Sequence, residues 1–232
     1  MKVHFVGAGS GDPELITLKG RRLLDEADLI LYTGSLVNPK LLAGVKAEVV
    51  NSHGMKLEEI VELMADRAKK GERVVRLQTG DPSLYSAMYE QMRELDRAGI
   101  EYEVVPGVTS AFAAAASIKA ELTLGGETLI ITRPAGKTLQ TDQIRELSRN
   151  NATLAIFLGV HKLKEVVETV EMPADTPVAV VYRASWEDEK VVCGTLSDIT
   201  AKAEEAGIER TAIILIGKSL DPDEHKRSYL YG

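Results

Sequence analysis

A single cysteine, Cys193, stands among 232 residues, so neither an intrachain disulfide nor a cysteine-built zinc site is available to hold the fold. Its place in a short apolar run predicts a small buried strand residue rather than a reactive thiol. The four histidines, His4, His53, His161 and His225, have no ligand spacing, and no metal site is expected. His4 alternates within the first apolar run and reads as structural. No stretch approaches the roughly 18–20 consecutive apolar residues of a membrane span. The opening MKVHFVGAG lacks the apolar core of a signal peptide. The expectation is a cytoplasmic protein that meets no membrane. A positive surplus is missing too: 28 Lys and Arg against 35 Asp and Glu leave a net charge of −7. That balance argues against a nucleic-acid binder while leaving room for a local basic cleft. Neither an internal repeat nor a low-complexity segment is present. The chain has 44% hydrophobic and 27% charged residues, the balance of a globular protein of one large domain or two small ones.

Periodicity divides the chain into two halves. Residues 3–6 read as a strand and 13–27 as a helix. The run DLILYT at 28–33 is continuously apolar, as in a strand buried on both faces. Leu57, Ile60, Val61, Met64, Ala65 and Ala68 recur at helical spacing and stop before Gly71. A strand at 73–78, a helix carrying Leu84, Met88, Met92 and Leu95, a strand at 101–105 and an Ala-rich helix at 108–119 follow. Strands alternating with helices predict a parallel sheet covered on both faces. The second half has strands at 127–132, 153–158, 178–182, 190–193 and 211–216, with shorter helices at 141–149, 163–170 and 196–206. Residues 190–195 are expected to pair as a hairpin strand with 178–182, which makes that sheet mixed. The glycines of LTLGG at 122–126 interrupt the pattern. The expectation is therefore two α/β domains, 1–121 and 122–232, with a polar tail after Lys218 on the surface.

Two glycine-rich segments invite readings that fail in detail. GAGSGD at 7–12 follows the first strand, but the third position of a dinucleotide fingerprint falls on Asp12, whose carboxylate would face pyrophosphate. The next strand also closes on Thr33 instead of an acidic residue. AGKT at 135–138 lacks the earlier glycine of a phosphate-binding loop, because position 131 is Ile. Three loops remain, at 7–13, 79–82 and 106–110, each at the carboxyl end of an expected strand, where ligands of open α/β sheets bind. Each is also compatible with an ordinary strand-to-helix turn with Pro near the first helical position. Three together favour a site, although their composition names no ligand.

In this order, FVGAGSGDP, VVRLQTGDPSLYS and VVPGVTSAFAA resemble the tetrapyrrole (corrin/porphyrin) methylase family over essentially the whole chain. The resemblance implies S-adenosylmethionine (SAM) as methyl donor, two α/β domains with the active site in the cleft between them, a tetrapyrrole substrate and a homodimer. Within the family, LYTGSLVNPKLL at 31–42 and ITRPAGKT at 131–138 look most like the precorrin-4 branch, which methylates carbon 11 of a corrin precursor. The uroporphyrinogen branch has an acidic residue where Thr33 stands and a basic G-K-R-x-G segment near residues 51–55, both missing here. Ser10 stands where the family has a loop proline.

Carried over residue by residue, the resemblance assigns SAM to Ser10, Thr79, Gly80, Asp81, Leu84, Thr109 and Ser110, with Leu158 and Ala184 on the adenine side. It also implies a corrinoid rich in carboxylates, for which Arg133 and Lys137 are the candidate cations. Thr33, Ser35 and Asn38 are candidates for hydrogen bonds to the ring edge, and Tyr32 and Leu36 for packing on the macrocycle. Methyl transfer from a sulfonium to an electron-rich carbon rests on positioning and desolvation, so no catalytic acid or base is expected. Other readings remain: a family member acting at another ring position or on protein or RNA, a nicotinamide-dependent oxidoreductase, and a non-catalytic ligand-binding protein.

Overall fold

The computed structural model describes residues 1–221; His225 and the rest of the tail lie outside the described residues. The chain divides into two compact units, Met1–Ser110 and the residues from Ala111 on.

The first unit runs β1 (Val3–Gly7), α1 (Leu18–Asp25), β2 (Leu29–Tyr32), β3 (Glu48–Asn51), α2 (Leu57–Lys69), β4 (Val74–Gln78), α3 (Met88–Arg97) and β5 (Tyr102–Val105). Its five strands are all parallel, in the order β3-β2-β4-β1-β5. Pleating sends Val6, Ile30 and Leu77 to the face of Leu24 from α1. Val3, Phe5, Leu31 and Val74 go to the opposite face, under Met64 of α2 and Leu95 of α3. Full burial of such side chains contributes about 1.5–3 kcal/mol each, so the apolar runs of the sequence become the two-sided core of a parallel sheet. The chain leaves β1 for β2 on one side and leaves β4 for β5 on the other. Neighbours β1 and β4 therefore form a topological switch point, where open α/β sheets place ligands.

The helix expected over 13–27 is two pieces. A 3-10 turn at Pro13–Leu15 is capped by Asp12, and α1 starts afresh after Thr17, whose hydroxyl accepts from the Gly20 amide at 3.1 Å. The edge strand β3 was not expected; its sequence, EVVN, is too short and too exposed for a clear period. Leu84 falls outside α3, in the turn that precedes it.

The second unit begins with α4 (Ser110–Ser117), followed by β6 (Leu129–Thr132), α5 (Ile144–Ser148), β7 (Thr153–Ile156), α6 (Leu163–Thr169), β8 (Pro177–Tyr182), β9 (Lys190–Thr195), α7 (Ile199–Glu205) and β10 (Ala212–Ile216). Its sheet is mixed, in the order β6-β7-β10-β8-β9. The expected hairpin is there, with β8 and β9 antiparallel and Val180 opposite Val192. One face packs on α5, α6 and α7 through Ile144, Leu154, Ile156, Val166 and Ile199. The other carries α4: Ala111 and Ala114 lie on Ala155, Ala179 and Leu215. Alanines on both sides let helix and sheet approach closely.

Cys193, expected to be buried, is exposed. It lies on the edge strand β9, where its side chain lacks a covering layer. His4 is half-buried on β1, with its Nε2 3.6 Å from a Glu103 carboxylate oxygen. Among the described residues no helix is long and apolar enough to cross a membrane. No group of three or more His, Cys, Asp or Glu among them is placed to hold a metal ion.

Candidate functional site

The three glycine loops of the first unit meet at the carboxyl edge of β1, β4 and β5, and they lock together through backbone. Gly9 donates to the Gly80 carbonyl at 3.2 Å, and Gly80 donates to the Gly9 carbonyl at 2.8 Å. Ala8 donates to Gln78 at 2.7 Å. Asp81 ties the second loop to the third: one carboxylate oxygen accepts from the Gly107 amide at 2.9 Å, the other from the Ser83 amide at 2.8 Å. Gly7 and Gly107 touch so closely that a Cβ on Gly107 would lie 2.2 Å from the Gly80 carbonyl oxygen and 2.8 Å from the Gly7 Cα. Those two glycines serve contact between loops. Gly80 differs: its φ of +65° is the left-handed region that favours glycine, and a Cβ there would meet only the Thr109 Cα, at 3.9 Å. The backbone of the 79–81 turn is thus open on that side. Ser10 and Thr109 are buried among these loops, while Ser110 opens α4.

The loop after β2 joins this cluster at two points. The Thr33 and Thr79 hydroxyl oxygens are 3.3 Å apart, which brings a residue expected at the substrate beside one expected at SAM. Asn38 has a different role from the expected substrate contact. Its side chain is buried, donating to the Gly11 carbonyl at 2.8 Å and accepting from the Lys40 amide at 3.0 Å. Both ends of the amide are occupied inside the protein, so Asn38 fastens this loop to the first glycine loop. Ser35 lies in the 3-10 turn Gly34–Leu36; its side chain is outside what the structure describes. Tyr32 ends β2, and Leu36 is exposed.

In the second unit, β6, β7 and β8 run in one direction, so the loops that follow them emerge at one edge of the sheet. Arg133, Leu158 and Ala184 are the first or second residues of those loops. After β6 the chain reverses at residues 136–139, where Gly136 donates to the Leu139 carbonyl at 2.7 Å. Arg133 braces this turn, donating to the Thr138 hydroxyl at 2.8 Å and to its carbonyl at 3.4 Å. Lys137 is exposed within the same turn. Asp142 closes the loop by accepting from the Ala135 amide at 2.6 Å.

Backbone strain picks out positions that no sequence pattern announces. Leu158 has φ 54° and a side chain 58% exposed. Arg183 and Ser185, on either side of Ala184, have φ 46° and 67°. Tyr85 and Ala87, after the 79–82 turn, have φ 53° and 52°. Non-glycine residues in this region are strained and gather at functional sites. Of the eight such residues among those described, these five lie beyond the carboxyl ends of strands; Lys119, Glu127 and Thr211 do not. The 183–189 loop is held by Arg183 stacked on the Trp186 ring at 4.0 Å and paired with Asp188 at 2.8 Å. Glu189 accepts from the Ser185 amide at 2.6 Å and from the Ser117 hydroxyl at 2.8 Å.

Both Asp81 oxygens accept from amides, so this carboxylate braces the second loop against the third. Asp81→Asn keeps one acceptor and turns an N–H toward an amide, losing a bond to a charged group worth about 1.5–3 kcal/mol. SAM affinity should fall by roughly one to two decades, with both limbs of the pH–rate profile kept. Calorimetry and rates measured across pH check this; loss of a limb would make Asp81 a base.

The profile of the tetrapyrrole (corrin/porphyrin) methylases matches residues 2–200, and the chain belongs to that family. The cobalt-precorrin-4 C(11)-methyltransferase of Methanocaldococcus jannaschii is 52% identical, across 99% of this chain and 92% of its own. The precorrin-4 C(11)-methyltransferase of Pseudomonas aeruginosa is 48% identical, across all of this chain and 95% of its own. The crystal structure of the cobalt precorrin-4 methyltransferase CbiF superimposes with a TM-score of 0.92 at 46% identity, covering 95% of this chain and 96% of the other. A uroporphyrin-III C-methyltransferase from Thermus thermophilus, solved in complex with S-adenyl homocysteine, gives a TM-score of 0.77 at 32% identity over 95% and 99% of the two chains.

Proposed function

We propose that this protein is a SAM-dependent methyltransferase of corrin biosynthesis that methylates carbon 11 of precorrin-4, in its cobalt-bound or metal-free form. The observation that carries the reading is the interlocked cluster of Gly7, Gly80 and Gly107 under an open 79–81 backbone, in a chain so similar to two precorrin-4 methyltransferases. Bound there, SAM supplies an electrophilic methyl group to an electron-rich ring carbon. The amides and carbonyls of the Thr79–Gly80–Asp81 turn, with Leu84, Thr109 and Ser110, hold the methionine and ribose parts, and Ser10 supports the first loop from within. Leu158 and Ala184, assigned to the adenine by the family resemblance, are proposed for that role on the strained loops that carry them. Arg133 and Lys137 answer the carboxylates of the ring, and Thr33 and Ser35 its edge. Asn38 acts behind them by holding their loop. Orientation and exclusion of water account for the rate, and no side chain is assigned as general acid or base. A nicotinamide dinucleotide is disfavoured because Asp12 spends its carboxylate on the Glu14 amide at 2.9 Å, where pyrophosphate would need free N–H groups.

The same reading includes a homodimer in the cytoplasm, and sedimentation of the purified protein tests the dimer. For the activity, the protein is incubated with SAM and either cobalt-precorrin-4 or its metal-free counterpart. One added methyl by mass, assigned to carbon 11 by NMR, is the expected result. Methylation at another carbon, or binding of NADH in place of SAM, would overturn it.

A further inference from the structure

Beneath the loops of the first unit lies a buried cation. Arg76, in the middle of β4, is 2% exposed, and among the described residues no carboxylate pairs with it. Burial pulls its guanidinium down to about 10, so it stays charged at neutral pH. Such a placement is costly unless every donor is well used, and an apolar side chain of similar volume would fill the space without that cost.

The acceptors lie in three separate segments. Nε donates to the Gln91 side-chain oxygen at 2.9 Å. Nη1 donates to the Ser52 hydroxyl at 2.9 Å and to the Leu31 carbonyl at 3.3 Å. Two of these partners pass the contact onward. Ser52, just past β3, donates to the Tyr32 carbonyl at 3.0 Å, one residue before Thr33. Gln91, in α3, donates to the Ala87 carbonyl at 3.3 Å. Ala87 is the left-handed residue that ends the 79–87 loop and starts α3. One guanidinium therefore anchors the loop after β2 and the far end of the loop after β4, whose near ends meet at the Thr33–Thr79 contact. A lysine would carry the same charge but not the planar fork that reaches both partners at once.

We propose that Arg76 is a positioning residue for methyl transfer, which through Ser52 and Gln91 fixes the acceptor loop and the donor loop in one frame. This rests on the reading of the 79–81 turn as the SAM site. In-line transfer is sensitive to displacements of about 1 Å, so the frame governs turnover more than binding.

The test compares Gln91→Leu, Ser52→Ala, the double variant and Arg76→Lys by calorimetry with SAM, steady-state methylation kinetics and thermal melting. Arg76→Lys disturbs a buried charge and risks unfolding; the Gln91 and Ser52 variants leave Arg76 in place and carry the test without it. Each single change should lower kcat roughly tenfold, with the SAM Kd and the tetrapyrrole KM held within about threefold. The double variant should be little worse than either single one, because both break the same frame. Unchanged kcat with a lower melting temperature, losses confined to Kd or KM, or losses that multiply in the double variant would each overturn the proposal. Wild-type protein that fails to bind SAM would instead remove the reading beneath it.

Discussion

Gly107→Ala is expected to weaken SAM binding by roughly one to two decades in a protein that still folds. The added Cβ would sit 2.2 Å from the Gly80 carbonyl oxygen and 2.8 Å from the Gly7 Cα. Both neighbours are backbone, so no side chain can swing aside, and the loops after β4 and β5 must separate. Separation breaks the bond from the Gly107 amide to Asp81 and strains the paired bonds between Gly9 and Gly80. Overpacking of this kind costs about 1–3 kcal/mol, and if it falls on the ligand site it equals roughly one to two decades of affinity. The core strands below are untouched, so the melting temperature should fall by only a few degrees. Gly71→Ala is the control: Gly71 also has positive φ, at +85°, but a Cβ there meets nothing within 4 Å, and it precedes the amino end of β4, the opposite end of that strand from the loops. It should lose some stability and no SAM affinity. Equal SAM affinity in Gly107→Ala and wild type would refute the interlock as the basis of the site.

Arg133→Ala should weaken the tetrapyrrole and leave SAM alone. Arg133 is half-buried and already braced against Thr138, so its fork is partly ordered before any carboxylate arrives. A charge-assisted bond to a ring carboxylate is worth about 1.5–3 kcal/mol, which is roughly 10- to 100-fold in affinity. Arg133→Lys should recover little, since a point charge reproduces neither the two-pronged contact nor the brace on Thr138. Titration of each variant with the tetrapyrrole and, separately, with SAM decides the matter. A defect in SAM affinity alone would place Arg133 at the wrong ligand.

Much of this arrangement was legible in the residues. The apolar runs at β1, β2 and β4 and the stripe on α2 carry the parallel sheet, because burial on two faces leaves a signal that survives in one dimension. The three loop motifs, expected at the carboxyl ends of their strands, lie there, after β1, β4 and β5. Other features depend on contacts that spacing does not encode. The role of Gly107 could not be read from its neighbours in sequence, since what it touches is Gly7, a hundred residues earlier. Asn38 looked like a ligand contact because it is polar in a loop, and only the fold shows that Gly11 and Lys40 use both of its ends. The Ala-rich helix α4 fits either sheet by composition, and its packing on Ala155 and Ala179 appears only in three dimensions. Leu158, Tyr85 and Arg183 have ordinary residue types in an unusual backbone. Arg76 was visible as part of a motif, but its lack of a carboxylate partner among the described residues is a property of the assembled sheet.

The exposed thiol on β9 bears on how copies of this protein are counted. Cys193 is the sole cysteine of the chain and lies on a sheet edge open to solvent. In air, two chains can join through a single covalent bond that has nothing to do with any native association. A dimer band on a non-reducing gel therefore carries no information about quaternary structure, and hydrodynamic measurements belong in reductant or on Cys193→Ser. With the thiol kept reduced, the same residue becomes a unique attachment point: one maleimide dye per chain, at one known position on the second sheet, with no other cysteine to remove first.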